Sequence, residues 1–183
     1  MAKKPKFKIE IIGEKSLSKS DDAGIRKLLA GCFPKDAAFF SKSRSWHSAP
    51  EYTLASRKGG AIAGHVAIVV REISCGRKKV TIAGIQSLAV GTECRGMGLA
   101  PALMTESMSE AWRRGIEFGL LFCVPELERF YASLGWRRID APFFMRDEKG
   151  RKTSIPQKNI GMVLPLSGKP FPSGAVDLRG RDW

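Results

Sequence analysis

Arg95, Gly96 and Gly98 stand in the stretch "ECRGMGLAPAL" (Glu93–Leu103), where a cation and two glycines precede small and apolar residues able to open a helix. A helix N-terminus presents N–H groups without intrahelical acceptors and a partial positive charge, so it can hold a phosphate with no side chain at all. Glycine lets an anion approach the backbone, and arginine adds a planar cation. The chemistry suits a pyrophosphate. No Lys-Ser/Thr pair follows the second glycine, which excludes a P-loop, and Ala100 and Pro101 break the G-x-G-x-x-G spacing. A plain glycine turn that starts a helix fits the same residues, so a second motif has to decide.

Other chemistries are poorly supplied. The chain has two histidines, His47 and His65, and four well-separated cysteines, Cys32, Cys75, Cys94 and Cys123, so a zinc site lacks ligands. The cysteines read as reduced thiols, and with no secretory pattern at the N-terminus a cytoplasmic setting is expected. The apolar runs, such as "AGHVAIVV", fall short of the ~20 residues of a membrane span. A net charge of +13 favours anionic partners. The basic residues are scattered rather than gathered on one helix, and no aromatics interleave with them, so nucleic acid is not the expected partner.

The elements that must position the loop follow from hydrophobic period and turn residues. "KFKIEII" alternates up to Gly13 and predicts a first strand; "SKSDDAGIRKLLAGCF" opens on Ser/Asp and predicts a helix, with a short second one in "PKDAAFFSK". From Glu51 to Val90, three strands with short turns predict an antiparallel meander. The loop at 91–97 then leads into a helix over 98–114 with Ala100, Met104, Met108 and Ala111 on one stripe. "FGLLFCV" is a buried strand, "PELERFYASLG" a helix entered by Pro125, and "WRRID" and "NIGMVLPL" two late strands. The stretch 147–158 between those strands and the tail 167–183 show no period. At 183 residues with 43% hydrophobic content, a single α+β domain is expected.

The span "IQSLAVGTECRGMGLAPALM", followed by "LLFCVPELERFYASLGW", resembles the GCN5-related N-acetyltransferase (GNAT) superfamily. That resemblance implies a central, mostly antiparallel twisted sheet of six to seven strands flanked by about four helices. It implies a loop for the coenzyme A pyrophosphate, matched by Arg95, Gly98 and Ala100 with Gly96, Met97 and Leu99 between them. The strand before the loop, Leu88, Ala89 and Val90, would face the pantetheine arm, with Phe130 near the cofactor. Tyr131 of "FYASLGW" would protonate the departing thiolate. "FYASLGW", "MVLPL" and a C-terminus closing on Asp-Trp are further similar to the aminoglycoside 2'-N-acetyltransferases, and "SRSW" with "GHVAIVVRE" to the nodulation N-acyltransferases. Where the aminoglycoside branch has an acidic residue, this chain has Gln86, which cannot act as a base. A +13 protein would also repel polycationic acceptors.

The implied activity is transfer of acetyl from acetyl-CoA to a primary amine of a small molecule. The alternatives are a longer acyl chain or a CoA-binding regulator without catalysis, and a homodimer stays open. Acyl transfer needs a neutral amine, a donor to the carbonyl oxygen as charge grows there, and a proton for the leaving thiolate. The backbone N–H groups of Leu88–Val90 could serve the oxygen, and Tyr131 in an apolar pocket stays protonated and serves as the acid. Gln86 would orient the amine or a water. On the acceptor side the candidates are Arg44, Trp46, His47, Glu51, Asp182 and Trp183, with the tail packing nearby. Glu51, Glu72, Glu126 and the terminal carboxylate of Trp183 are unranked as the general base. His65, in an apolar run, reads as a core histidine, and Cys123 as an inert buried thiol.

Overall fold

The computed structural model describes residues 7–156 and 158–183. The expected first strand begins at Lys6, outside the described residues, as do Lys3 and Lys4 of the basic lead-in. The chain forms two compact units. The first gathers the chain up to Ser45 with Pro50–Ile68 and Gln86–Ser107; the second gathers Trp46–Ala49, Val69–Ile85 and Met108–Trp183.

In the first unit, β1 (Ile9–Gly13) pairs antiparallel with β2 (Tyr52–Lys58), from Ile9↔Ser56 to Gly13↔Tyr52. The other edge of β2 pairs antiparallel with β3 (Ala61–Cys75), with a bulge between Ser56 and Arg57. Helix α1 (Lys19–Cys32) starts where the Ser18 side chain accepts from the Asp21 N–H, with Asp21 and Asp22 in the positive first turn. Its Ile25 and Leu29 are fully buried. Helix α2 (Ala37–Phe40) is one turn and buries Phe40. Strand β4 (Lys78–Val90) delivers its last residues, Gln86–Val90, to this unit, and α3 (Leu99–Arg113) contributes its N-terminal half. Gly64 is where α3 meets β3: a Cβ there would stand 2.7 Å from Leu99 and 3.0 Å from Leu103, so only glycine admits the helix this close.

The buried face of α3 keeps Met104, Met108 and Ala111 of the expected stripe and departs from it at Ala100. Leu99, Leu103, Met104, Ser107, Met108 and Ala111 are buried and Ala100 is only half-buried. Ser107 was hidden from a hydrophobic reading because it is polar; its hydroxyl donates to the Met104 carbonyl, which satisfies it inside the helix.

In the second unit, β5 (Phe118–Cys123) is central. It runs parallel to β4 through Ile82↔Phe118, Ala83↔Gly119 and Gly84↔Leu120, and antiparallel to β9 (Ile160–Pro165) along its whole length. Beyond β9 lies β6 (Arg137–Ile139). On the other side β10 (Val176–Asp177) sits between β3, to which it is antiparallel, and β7 (Phe143–Arg146), to which it is parallel; β8 (Lys152–Ser154) closes that edge. Ile73, Val80, Ile82, Phe118, Leu120, Val163, Val176 and Leu178 form the unit's core. Helix α4 (Glu128–Ala132) follows a 3-10 turn opened by Pro125.

The described residues thus hold ten strands rather than six or seven. The additional ones, β7, β8 and β10, span four, three and two residues. Strands this short have no readable alternation; they exist because their neighbours supply hydrogen-bond partners.

Candidate active site

The Glu93–Leu103 loop forms in the first unit. After β4, a 3-10 turn at Thr92–Cys94 leads through Arg95–Gly98 into α3. Gly96 and Gly98 have φ of 70° and 86°, and a Cβ on either would meet no atom within 4 Å. These glycines serve the backbone conformation and border open space, as a cradle for an anion requires. Ala102 donates to the Gly98 carbonyl at 3.1 Å, so α3 winds directly out of the loop and leaves its first N–H groups without intrahelical acceptors. Pro101 falls in the first turn, where its missing N–H costs nothing. Arg95, Gly96, Met97 and Gly98 are exposed, Leu99 is buried in the core and Ala100 is half-buried. The Arg95 Nε donates back to the Val90 carbonyl at 3.1 Å, which sets the course of the guanidinium along the loop.

The strand entering the loop is irregular. Ser87 has a φ of 54°, one of two non-glycine residues at positive φ among those described. His65 on β3 is fully buried, and its Nδ1 lies 2.9 Å from the Ser87 carbonyl. A carbonyl only accepts, so Nδ1 carries the proton and Nε2 is a bare acceptor; it has no partner among the described residues. Burial, with Arg44 adding to it, pulls the imidazole down to about 4 against the bond to Ser87, so the ring is neutral. The expected core histidine is therefore only half satisfied. Further along, Ala63 accepts from the Gly91 N–H at 2.8 Å, and the Val90 carbonyl accepts from the Cys32 thiol at 3.4 Å. Gln86 and Ala89 are buried, Leu88 and Val90 half-buried.

In the second unit, Tyr131 on α4 is 7% exposed and packs edge-on against Phe130, at 4.9 Å, and against Trp136, at 6.4 Å. Burial, then the neighbouring Cys123, pushes its phenol up to about 12. Gly135, at φ 90°, ends the helical stretch and turns the chain so that Trp136 covers Gly119, where a Cβ would be 2.6 Å from the indole. Burial pushes the Cys123 thiol up to about 11, which suits an inert thiol.

The second unit also brings together three of the acceptor-side candidates. His47 Nδ1 lies 2.6 Å from an Asp182 carboxylate oxygen. The Ser48 hydroxyl donates to the main chain of the tail, at 3.0 Å from the Arg181 carbonyl and 2.9 Å from that of Asp182. Arg71 donates to the Arg181 carbonyl at 2.6 Å and to Ser48 Oγ at 2.9 Å, so it pins the C-terminus. The pinned tail lays the Trp183 indole on Gly84 of β4, where a Cβ would be 2.4 Å from the ring, and beside Phe122 at 5.8 Å. Trp183 Nε1 is buried without a partner among the described residues. Arg44, 7% exposed, pairs in the first unit with Glu14 and, at 3.1 Å, with Asp22. Trp46 is half-buried, and Glu51 is exposed just before β2. Glu72 is paired with Lys79 and Arg179 on the surface, and Glu126 is exposed.

Sequence reasoning missed Ser87, Arg71 and Phe122. Nothing local marks a serine for positive φ in a strand, and the partners of Arg71 lie more than twenty residues away at 48 and about 110 away at 181.

A family model for the acetyltransferase (GNAT) domain matches residues 15–139, which include the loop, β4, β5 and Tyr131. The chain belongs to this family and has its fold, a mixed sheet with four helices. No curated protein matches the chain. Solved structures share the fold at low identity. The GNAT-family N-acetyltransferase YhbS of Escherichia coli, solved with CoA, is 20% identical at a TM-score of 0.64, over 97% of this chain and 93% of that one. The E. coli ribosomal-protein-S18-alanine N-acetyltransferase is 18% identical at 0.57, over 89% and 97%. An aminoglycoside 6'-N-acetyltransferase complexed with CoA is 12% identical at 0.59, over 88% and 99%.

Proposed function

We propose that the chain is a single N-acyltransferase domain that uses acetyl-CoA to acylate a primary amine of a small molecule. The carrying observation is the loop at the start of α3, with its positive-φ glycines bordering open space, inside a GNAT family match. When bound, acetyl-CoA supplies an activated acyl thioester. Gly96–Ala100 would hold its pyrophosphate through backbone N–H groups, with Arg95 adding charge. Leu88, Ala89 and Val90 would hold the pantetheine arm and offer N–H groups to the carbonyl oxygen, and Phe130 would pack near the cofactor. Tyr131, neutral throughout the working pH range because of its burial, would give its proton to the sulfur. Gln86 would orient the amine. His47, Asp182 and Trp183 form the acceptor side, where Asp182 accepts a hydrogen bond and Trp183 supplies an aromatic wall; a cytoplasmic setting accompanies this reading.

The structural relatives include CoA complexes, which supports the cofactor class. The experiment is thermal denaturation with acetyl-CoA, then an amine panel read by release of free thiol. At a hundred times Kd the ligand adds about 2.7 kcal/mol of stability. No shift at millimolar acetyl-CoA would overturn the reading, and a shift without thiol release from any amine would leave a CoA-binding protein rather than an enzyme.

A further inference from the structure

The first unit contains a buried histidine whose one polar contact is a backbone carbonyl in a strained segment. His65 is fully buried, Nδ1 donates to the Ser87 carbonyl at 2.9 Å, and Nε2 has no partner among the described residues. A buried polar atom without a partner is costly, and an apolar side chain in the same run would avoid it. What the imidazole does, and its apolar neighbours Val66 and Ala67 cannot, is hold that carbonyl.

The carbonyl matters because of the peptide it belongs to. Ser87 has a φ of 54°, a conformation in which a non-glycine residue is strained and stays only when its surroundings hold it. In a trans peptide the C=O and the following N–H point in opposite directions. No peptide bond of the described chain is cis. Drawing the Ser87 oxygen to His65 therefore aims the Leu88 N–H to the side away from the ring. The next anchor in the strand uses the same geometry: the Val90 carbonyl is held by Arg95 and Cys32 on one side while the Gly91 N–H of the same peptide reaches Ala63 on the other. The segment 87–91 is thus pinned at two of its peptides, 87–88 and 90–91, and His65 is the pin at the turned residue.

We propose that His65 is a positioning residue for acyl transfer: by holding the Ser87 carbonyl it aims the Leu88 N–H at the acyl carbonyl oxygen of the thioester. The inference rests on the acyltransferase reading above and narrows the Leu88–Val90 segment to one donor, set by one side chain. No chemical bond to His65 forms or breaks; it acts through the backbone.

The test compares His65→Leu, which removes the donor, with His65→Asn, whose side-chain N–H can replace Nδ1. In the wild type, ¹⁵N NMR is expected to show His65 as the Nδ1–H tautomer at neutral pH; an Nε2–H tautomer overturns the proposal, whatever the variants do. With [1-¹³C]acetyl-CoA bound, the carbonyl resonance is expected downfield of free acetyl-CoA in the wild type and His65→Asn, and near the free value in His65→Leu. With the best amine of the panel, kcat is expected to fall roughly 10²-fold in His65→Leu and to recover most of that in His65→Asn, with KM for acetyl-CoA little changed. A structural role alone would lower both variants alike and leave the carbonyl resonance in place, which would refute the proposal. If the wild type did not bind acetyl-CoA, the acyltransferase reading would fall with this role, while the tautomer and the Leu88 amide resonance would still report whether the pin itself exists.

Discussion

Gly98→Val separates a phosphate cradle from a helix start that only needs a glycine. Gly98 has a φ of 86°, and a Cβ would meet no atom within 4 Å, so the variant suffers no clash in the protein and its cost is conformational. Holding a β-branched residue at positive φ costs on the order of 1–3 kcal/mol. For a chain of this size that is a few degrees to about 10 °C in Tm. Gly150, in the β7–β8 connection, is the control, because its φ is 75° and its Cβ position is equally open. Gly150→Val should lose similar stability and leave CoA binding intact. In Gly98→Val the side chain enters the space the anion would use, and relaxation of φ turns the loop N–H groups off their target. Losing one charge-assisted hydrogen bond costs about 1.5–3 kcal/mol, roughly 10- to 100-fold in Kd. At a ligand concentration of a hundred times the wild-type Kd, a 100-fold weaker variant keeps only about 0.4 kcal/mol of the 2.7 kcal/mol stabilisation. The assay is the acetyl-CoA-dependent rise in Tm for the three proteins, with Kd by calorimetry. A Gly98→Val protein that folds and binds acetyl-CoA with wild-type affinity would refute the cradle.

Three further outcomes are expected. Tyr131→Phe should lower kcat by about 10²–10⁴-fold with acetyl-CoA affinity nearly unchanged, and because burial holds the phenol near 12, the wild-type rate should show no alkaline loss from this group below about pH 11; unchanged turnover removes Tyr131 from the mechanism. His65 is depressed from 6.5 to about 4, so the unfolded chain binds the extra proton first. Stability is therefore full above pH 6.5 and falls as pH drops toward 4, by about 3 kcal/mol from this group; His65→Asn should flatten that part of the Tm–pH curve, and an unchanged slope would contradict the buried neutral ring. Gly84→Ala would put a Cβ 2.4 Å from the Trp183 indole and should expel it, seen as a red shift of tryptophan emission with about 1–3 kcal/mol lost; emission identical to wild type would mean the tail does not pack on β4.

Much of the candidate site is local and was legible. The turn glycines, the arginine and the helix start of 95–100 are contiguous, and "FYASLGW" carries a helical repeat, a terminating glycine and an aromatic within seven residues. The stripe of α3 was right at Met104, Met108 and Ala111 and wrong at Ala100; Leu99 and Leu103 join the buried face where Gly64, lacking a side chain, lets the helix approach. Arg44 illustrates the opposite limit: an arginine in a polar loop reads as available for a ligand, yet it is buried against Glu14 and Asp22, thirty and twenty-two residues upstream.

The sequence by itself determined the family, the glycine loop that opens α3 and the buried tyrosine, because each is written in neighbouring residues whose backbone preferences and periods act over one or two turns of chain. Tertiary structure alone decided that Ser87 takes a left-handed conformation, that His65 holds its carbonyl, that a two-residue strand from the tail completes the second unit's sheet, and that Trp183 rests on Gly84. Those are pairings across 22 to about 100 residues, and they depend on register, burial and the space left by an absent side chain, none of which a single stretch of chain encodes.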